Sequence, residues 1–158
     1  MNSMFVLFAM AAFVAAARGC SPLDRILVKA EWAMASDGGH KDSELGSSIF
    51  RALVNIDPAL RGTFSAVGGE DMGSAQFRAF AFRVVAGIER LIAVLDVDAV
   101  LSADLAVLHS QHVARDVSAA NYESMLSAIM SVVPSAVGNS CFSSPSWSRC
   151  LNVIAAAM

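Results

Sequence analysis

The chain has 158 residues, enough for one domain with a substantial core and too few for two. Its hydrophobic fraction of 56% is high, yet 14 acidic against 11 basic residues leave a net charge of −3. With no basic stripe to replace phosphate counterions, nucleic acid is excluded as a partner. Much of the apolar excess lies in residues 4–17, a run too short and too close to the start to span a membrane. That run ends in Ala15, Ala16 and Ala17 followed by Arg18-Gly19, small residues of the kind a signal peptidase reads. Residues 1–19 are therefore expected to be a signal peptide and 20–158 the mature domain, with Arg18 arguing against lipid on Cys20. In the oxidising compartment this implies, two of the three cysteines can pair and one is left over. A bridge from Cys20 to Cys150 would close nearly the whole domain and contribute about 4–5 kcal/mol if unstrained.

Along the mature chain the patterning is helical throughout, with no strand-like alternation. Ser21-Pro22-Leu-Asp24 reads as a helix start: a serine cap, proline in the first turn, and an acid where the helix dipole favours it. Leu23, Ile26, Leu27, Ala30 and Met34 then recur at helical spacing until Asp37-Gly-Gly39 stops the pattern. A second helix is expected over 43–56, with Ile49, Phe50, Leu53 and Val54 inward, ended by Asp57-Pro58 because a residue before proline avoids the α region. Residues 62–69 form a corner around Phe64. Ser74 caps a long helix with Phe77, Phe80, Ala81, Val84, Ile88, Leu91 and Leu95 as its apolar stripe. A shorter helix over 101–113 carries His109 and His112. Another starts at Ser118, directs Tyr122, Met125, Leu126, Ile129 and Val132 inward, and ends near Pro134. After a turn at Gly138-Asn139, Ser144-Pro145 opens the last helix through Trp147, Leu151 and Ile154. The expected architecture is all-α, six to eight helices in a single domain.

The order and spacing of these pieces resemble a globin, and most closely the secreted globins of annelid and tubeworm giant haemoglobins. The residues that carry the resemblance run the length of the mature chain. They are Cys20 before Leu27-Val-Lys-Ala-Glu-Trp32, Phe50 with Pro58 and Phe64 beyond it, Gln76-Phe-Arg-Ala-Phe80 with Arg83-Val84, Leu108-His-Ser-Gln-His112-Val-Ala-Arg115, and Trp147-Ser-Arg-Cys150.

That resemblance implies a haem b pocket, which needs a flat apolar slot, one strong nitrogen ligand and an open sixth position. His112 is the expected iron ligand, its other ring N–H oriented by a carbonyl one turn back near Leu108. His109 is the competing ligand, because its interval from Phe80 matches that of vertebrate globins; the longer interval and Gln-His-x-x-Arg sequence of annelid relatives favour His112. Phe64 matches the corner phenylalanine that wedges against the haem, Val84 would sit over the iron, and Arg83 and Arg115 could reach the propionates. Gly46 and Ala81 match the small residues that let the family's second and fifth helices cross closely. Phe50 and Phe80 would make the distal side crowded and dry. Most relatives carry histidine or glutamine where this chain has Phe80, and phenylalanine cannot donate a hydrogen bond to dioxygen. The terminal cysteines stand in the family's pairing positions, leaving Cys141 for an interchain bridge or a free thiol. Some tubeworm relatives carry a cysteine associated with sulfide on the distal helix; Leu91 stands there in this chain. Met125 and Met130 read as core or interface filler rather than ligands.

The function implied by the resemblance is that of a secreted, non-enzymatic carrier of dioxygen in blood or coelomic fluid. Such a subunit is assembled with other globin chains and linker chains and has no membrane partner. Two readings compete: a haem redox or peroxidase-like protein, and a haem-poor subunit kept for assembly.

Overall fold

The computed structural model describes residues 19–138 and 141–158. The expected signal segment, apart from Gly19, and Asn139 of the expected turn lie outside the described residues. Among the described residues six α-helices follow one another: α1 (Pro22–Ser36), α2 (Asp42–Ile56), α3 (Ala75–Ala93), α4 (Asp98–Val113), α5 (Ala119–Val137) and α6 (Ser144–Ala155). A 3₁₀ segment, Pro58–Val67, links α2 to the approach of α3. The described residues contain no strand, and the all-α expectation holds.

The starts are set by local chemistry. Ser21 accepts from the Asp24 amide while the Asp24 carboxylate accepts from the Ser21 amide, a reciprocal box that satisfies two otherwise orphaned donors. Ser118 and Asn121 form the same box at α5, and Ser74 accepts from the Phe77 amide at α3. Two boundaries differ from expectation. α4 begins at Asp98, a turn earlier, with Leu101 and Leu105 as its buried residues. α5 runs through Pro134 to Val137 rather than ending there. Val133 is fully buried and Val137 packs against the core, so burial outweighs the one hydrogen bond the proline removes near a helix end.

The centre of the molecule is the crossing of α2 over α3. A Cβ on Gly46 would lie 3.0 Å from the Ala81 carbonyl oxygen and 3.0 Å from Val85 Cγ2, so a side chain there would have to push α3 aside by a few tenths of an ångström. Around the crossing Ile49, Phe50 and Leu53 of α2 meet Phe77, Ala81 and Val85 of α3, all buried. The expected stripe on α3 is thereby shifted: Val85 and Ile92 are buried, while Phe80, Val84 and Ile88 are half-buried. On α5, Ala128, Ile129 and Val133 are buried, and Tyr122, Met125, Leu126 and Val132 are half-buried.

α1 overturns its expected orientation. Leu23, Ile26 and Met34 are 65%, 64% and 51% exposed, and the buried face is Asp24, Val28, Glu31, Trp32, Ala35 and Ser36. The reason lies on α6. Asp24 accepts from the Arg149 guanidinium and the Ser146 hydroxyl. Glu31 accepts from Trp147 Nε1 at 2.7 Å and from the Ser143 amide. Burial of two carboxylates is tolerated because each is given charged or neutral donors in place of water. The Cys20–Cys150 disulfide, with Cα atoms 4.5 Å apart, ties the start of α1 to the same helix. Cys141 is exposed and stands outside that bridge.

The Arg149 guanidinium holds the Asp24 carboxyl far below the usual carboxylate range against the opposing effect of burial, with Ser21 and Ser146 adding to it. A depressed folded-state pKa gives stability that is present above the unfolded value of about 4 and is lost as pH falls below it. Asp24→Asn should therefore cost about 2 kcal/mol near neutral pH, roughly half the value of a fully buried pair because Arg149 is partly solvated. The deficit should shrink at about pH 3, as read by denaturant unfolding at both pH values. At the crossing, Gly46→Val should cost at least about 2 kcal/mol by overpacking. Gly87→Ala on the same α3, where an added Cβ meets nothing within 4 Å, should gain about 0.5–1 kcal/mol from helix propensity. Thermal unfolding of the two variants checks the opposite signs.

Candidate functional site

α4 is fully buried only at Leu101 and Leu105. One turn and then two beyond Leu105, the same face brings Leu108 and His112, both half-buried. His112 Nδ1 donates to the Leu108 carbonyl oxygen at 2.8 Å. A carbonyl can only accept, so the proton sits on Nδ1 and neutral His112 keeps the Nε2 lone pair for a ligand bond. The backbone around it is equally fixed. The His112 carbonyl accepts from the Arg115 and Val117 amides at 2.9 and 3.2 Å, and Asp116 takes the left-handed conformation at φ 54° that turns the chain into α5. The Ser118–Asn121 box then starts α5 so that Tyr122 lies against His112, ring centroids 5.6 Å apart and planes tilted by 47°. Burial pushes the Tyr122 phenol up, so the ring stays neutral. Sequence reasoning places Tyr122 inward but gives it no part in the site.

A second constellation comes from α2, the 3₁₀ segment and α3. Phe50, Phe64, Phe77 and Phe80 form one cluster in which all six ring pairs lie within 5.1–6.3 Å. Phe50 and Phe77 are buried at its base, whereas Phe64 and Phe80 are half-buried. Phe77 is expected from sequence only as part of the helix stripe, yet it is the residue that backs the other three. Val84, one turn beyond Phe80 on α3, is half-buried as well. These rings contribute no hydrogen-bond donor.

Among the described residues, no side-chain bond joins the other expected site residues to the His112 ring. His109 is exposed and its Nδ1 bonds the main-chain oxygen of Met158, which engages it away from His112. Arg83 and Arg115 are both exposed, and the Arg115 guanidinium donates to the Gln111 carbonyl. Among the described residues, no group of three or more His, Cys, Asp or Glu side chains could hold a metal ion. One histidine with a free Nε2, on a helix that follows the one carrying the half-buried Phe80, Val84 and Ile88, suits a different kind of centre. It fits a large flat cofactor that brings most of its metal's ligands with it.

Comparison with known families gives the family: the globin model matches residues 47–158, from just past the glycine crossing to the end of the chain. The chain is a globin. Over 139 residues it is 34% identical to an extracellular monomeric globin of Tubifex tubifex, covering 88% of this chain and 98% of that protein. It is 32% identical over 135 residues to extracellular globin-2 of Lumbricus terrestris, covering 85% of this chain and 92% of the relative. To extracellular globin-1 of the same worm it is 29% identical over 135 residues, covering 85% and 94%. In this globin the match takes in both the phenylalanine cluster and the His112 helix, and no described helix is long and apolar enough to cross a membrane.

Proposed function

We propose that this globin is secreted and carries dioxygen reversibly on haem b, with His112 as the iron ligand. The observation that carries the reading is the Leu108–His112 hydrogen bond, which leaves Nε2 as the free nitrogen on the under-packed end of α4. Ferrous haem supplies the reversible binding of dioxygen at an open coordination position. The chain's own residues supply the rest. The Leu108 carbonyl fixes the tautomer of His112 and raises its basicity. Phe64 and Val84 offer apolar surface to the haem faces. Arg83 and Arg115, both exposed, would be the cations available to the charged propionates. Phe80, backed by the buried Phe50, would keep the distal side dry, which would slow proton-assisted loss of the ferrous state but would provide no donor to the bound gas. Without a donor or base there, peroxidase-like chemistry lacks its acid–base partner.

Assembly with other globin chains, and with linker chains, belongs to the same proposal. Support comes from Leu23, Ile26, Val97 and Val100, large apolar side chains left exposed next to the Arg25–Asp98 ion pair. The secretion reading is supported by the extracellular names of the relatives and by the Cys20–Cys150 bridge.

Absorbance of the purified protein, with and without dithionite and carbon monoxide, tests the core of this reading. A Soret band that shifts on reduction and on carbon monoxide binding should be present in the wild type and in His109→Ala, and lost in His112→Ala. The reverse pattern assigns the iron to His109, and a wild type without the band selects the haem-poor assembly role. The distal half is tested by Phe80→His, which should slow dioxygen dissociation about ten-fold, the worth of one charge-assisted hydrogen bond. Stopped-flow rates equal in the two proteins would show that Phe80 does not set the release of the gas.

A further inference from the structure

We infer that Tyr122 is the second positioning residue of the haem ligand, holding the plane of the His112 imidazole that the Leu108 carbonyl holds only at one edge. The inference rests on the proposed reading of His112 as the iron ligand. A single N–H···O bond at Nδ1 restrains the tautomer and the tilt of the ring. Because a terminal sp³–sp² torsion is intrinsically broad, the ring plane is set by what touches it: this hydrogen bond on one edge and the side chain packed beside it. The Tyr122 ring packs tilted beside the imidazole, centroids 5.6 Å apart and planes at 47°, so a swing of the imidazole toward that side meets the phenol ring.

The placement is built rather than incidental. His112 and Tyr122 are ten residues apart and joined by a connection fixed at successive points. The His112 carbonyl accepts from the Arg115 and Val117 amides, Asp116 makes the left-handed turn, and the Ser118–Asn121 box begins α5 immediately before Tyr122. Each restraint acts on the register between the two rings, so the orientation of Tyr122 is transmitted directly to the ligand. The contribution of Tyr122 is geometric: it sets the azimuth at which Nε2 presents its lone pair, and hence the strength of the bond that holds the cofactor.

Resonance Raman spectroscopy of the ferrous, haem-loaded protein reads this bond as the iron–histidine stretching band, and transfer of haem to an excess of a scavenging apoglobin reads its strength. Tyr122→Leu keeps the apolar character but removes the flat face. It should lower and broaden the stretching band and speed haem loss about ten-fold, as for other groups that orient a metal ligand. Tyr122→Phe should restore both. In a His112→Gly background the band should vanish and return on adding imidazole, with about ten-fold more imidazole needed when Tyr122→Leu is also present. Circular dichroism of the apoproteins checks folding, and Tyr122→Met, also space-filling, takes the place of the leucine variant if that one is not helical. An unchanged band and unchanged haem loss in the leucine or methionine variant overturn the role of Tyr122 and leave His112 untouched. A band that survives His112→Gly overturns the ligand assignment itself.

Discussion

The packing of the phenylalanine cluster depends on the distance at which α2 crosses α3. Gly46 has no side chain, and so the Ala81 carbonyl and the Val85 side chain approach to separations that a methyl group could share only by displacing them. Dispersion energy falls off within fractions of an ångström of optimal contact, so the whole layer of buried Ile49, Phe50, Leu53 and Phe77 depends on that approach. The same crossing sets where Phe80 points. Phe50 and Phe77, pinned by the crossing, form the base on which Phe64 and Phe80 rest. The dry side of the site is thus a consequence of how two helices meet, and it would move with any side chain placed at position 46.

A second closure is made where the described chain begins and ends. α1 and α6 are joined by a disulfide, by Arg149 on Asp24 and by Trp147 on Glu31. The covalent link acts mainly on the unfolded chain, whose loop entropy it reduces by the equivalent of about 4–5 kcal/mol. The polar links act on the folded one. Breaking a buried pair leaves an uncompensated charge, so these contacts do more to specify which face of α1 turns inward than to add net stability. Periodicity alone cannot make that choice. Leu23, Ile26, Leu27, Ala30 and Met34 form one helical stripe, and Asp24, Val28, Glu31, Trp32 and Ala35 form another with the same repeat. The first is the more hydrophobic and the natural candidate for burial; the second is buried because α6 carries the matching donors. Those donors lie more than a hundred residues away in sequence, and nothing local signals them.

Features decided by neighbouring residues are legible in the sequence. Ser21, Ser74 and Ser118 cap their helices because capping is decided by the three residues that come after them. Asp57-Pro58 ends α2, and Pro134 does not end α5, because the first boundary depends on backbone sterics and the second on whether Val133 and Val137 are buried. The site divides along the same line. The Leu108–His112 contact is a helix repeat of four residues and is legible from spacing. The Tyr122 contact passes through a turn whose hinge, Asp116, is a non-glycine residue in the left-handed region, and no sequence rule marks that conformation in advance. Phe77 is legible as core but not as the backing of Phe80, since the two point to different depths from one helix.

The two sides of the site therefore have different physical characters, and this decides what each can do. The histidine side is polar and multiply restrained: a hydrogen bond, a ring contact and a hydrogen-bonded turn all act on one imidazole. The phenylalanine side is apolar and packed, with four rings held by their mutual contacts and by the helix crossing. On the proposed reading, retention of the cofactor depends on the first side and the lifetime of the bound gas on the second. The two properties can then vary independently, because the rings of the phenylalanine cluster have no hydrogen-bonding group through which to act on His112. On that reading, a chain with Phe80 in place of a distal donor would still hold its cofactor, because retention would rest on His112. The cost would then fall on how long the gas stays, and an aromatic wall would partly offset it by excluding the water that carries protons to the iron.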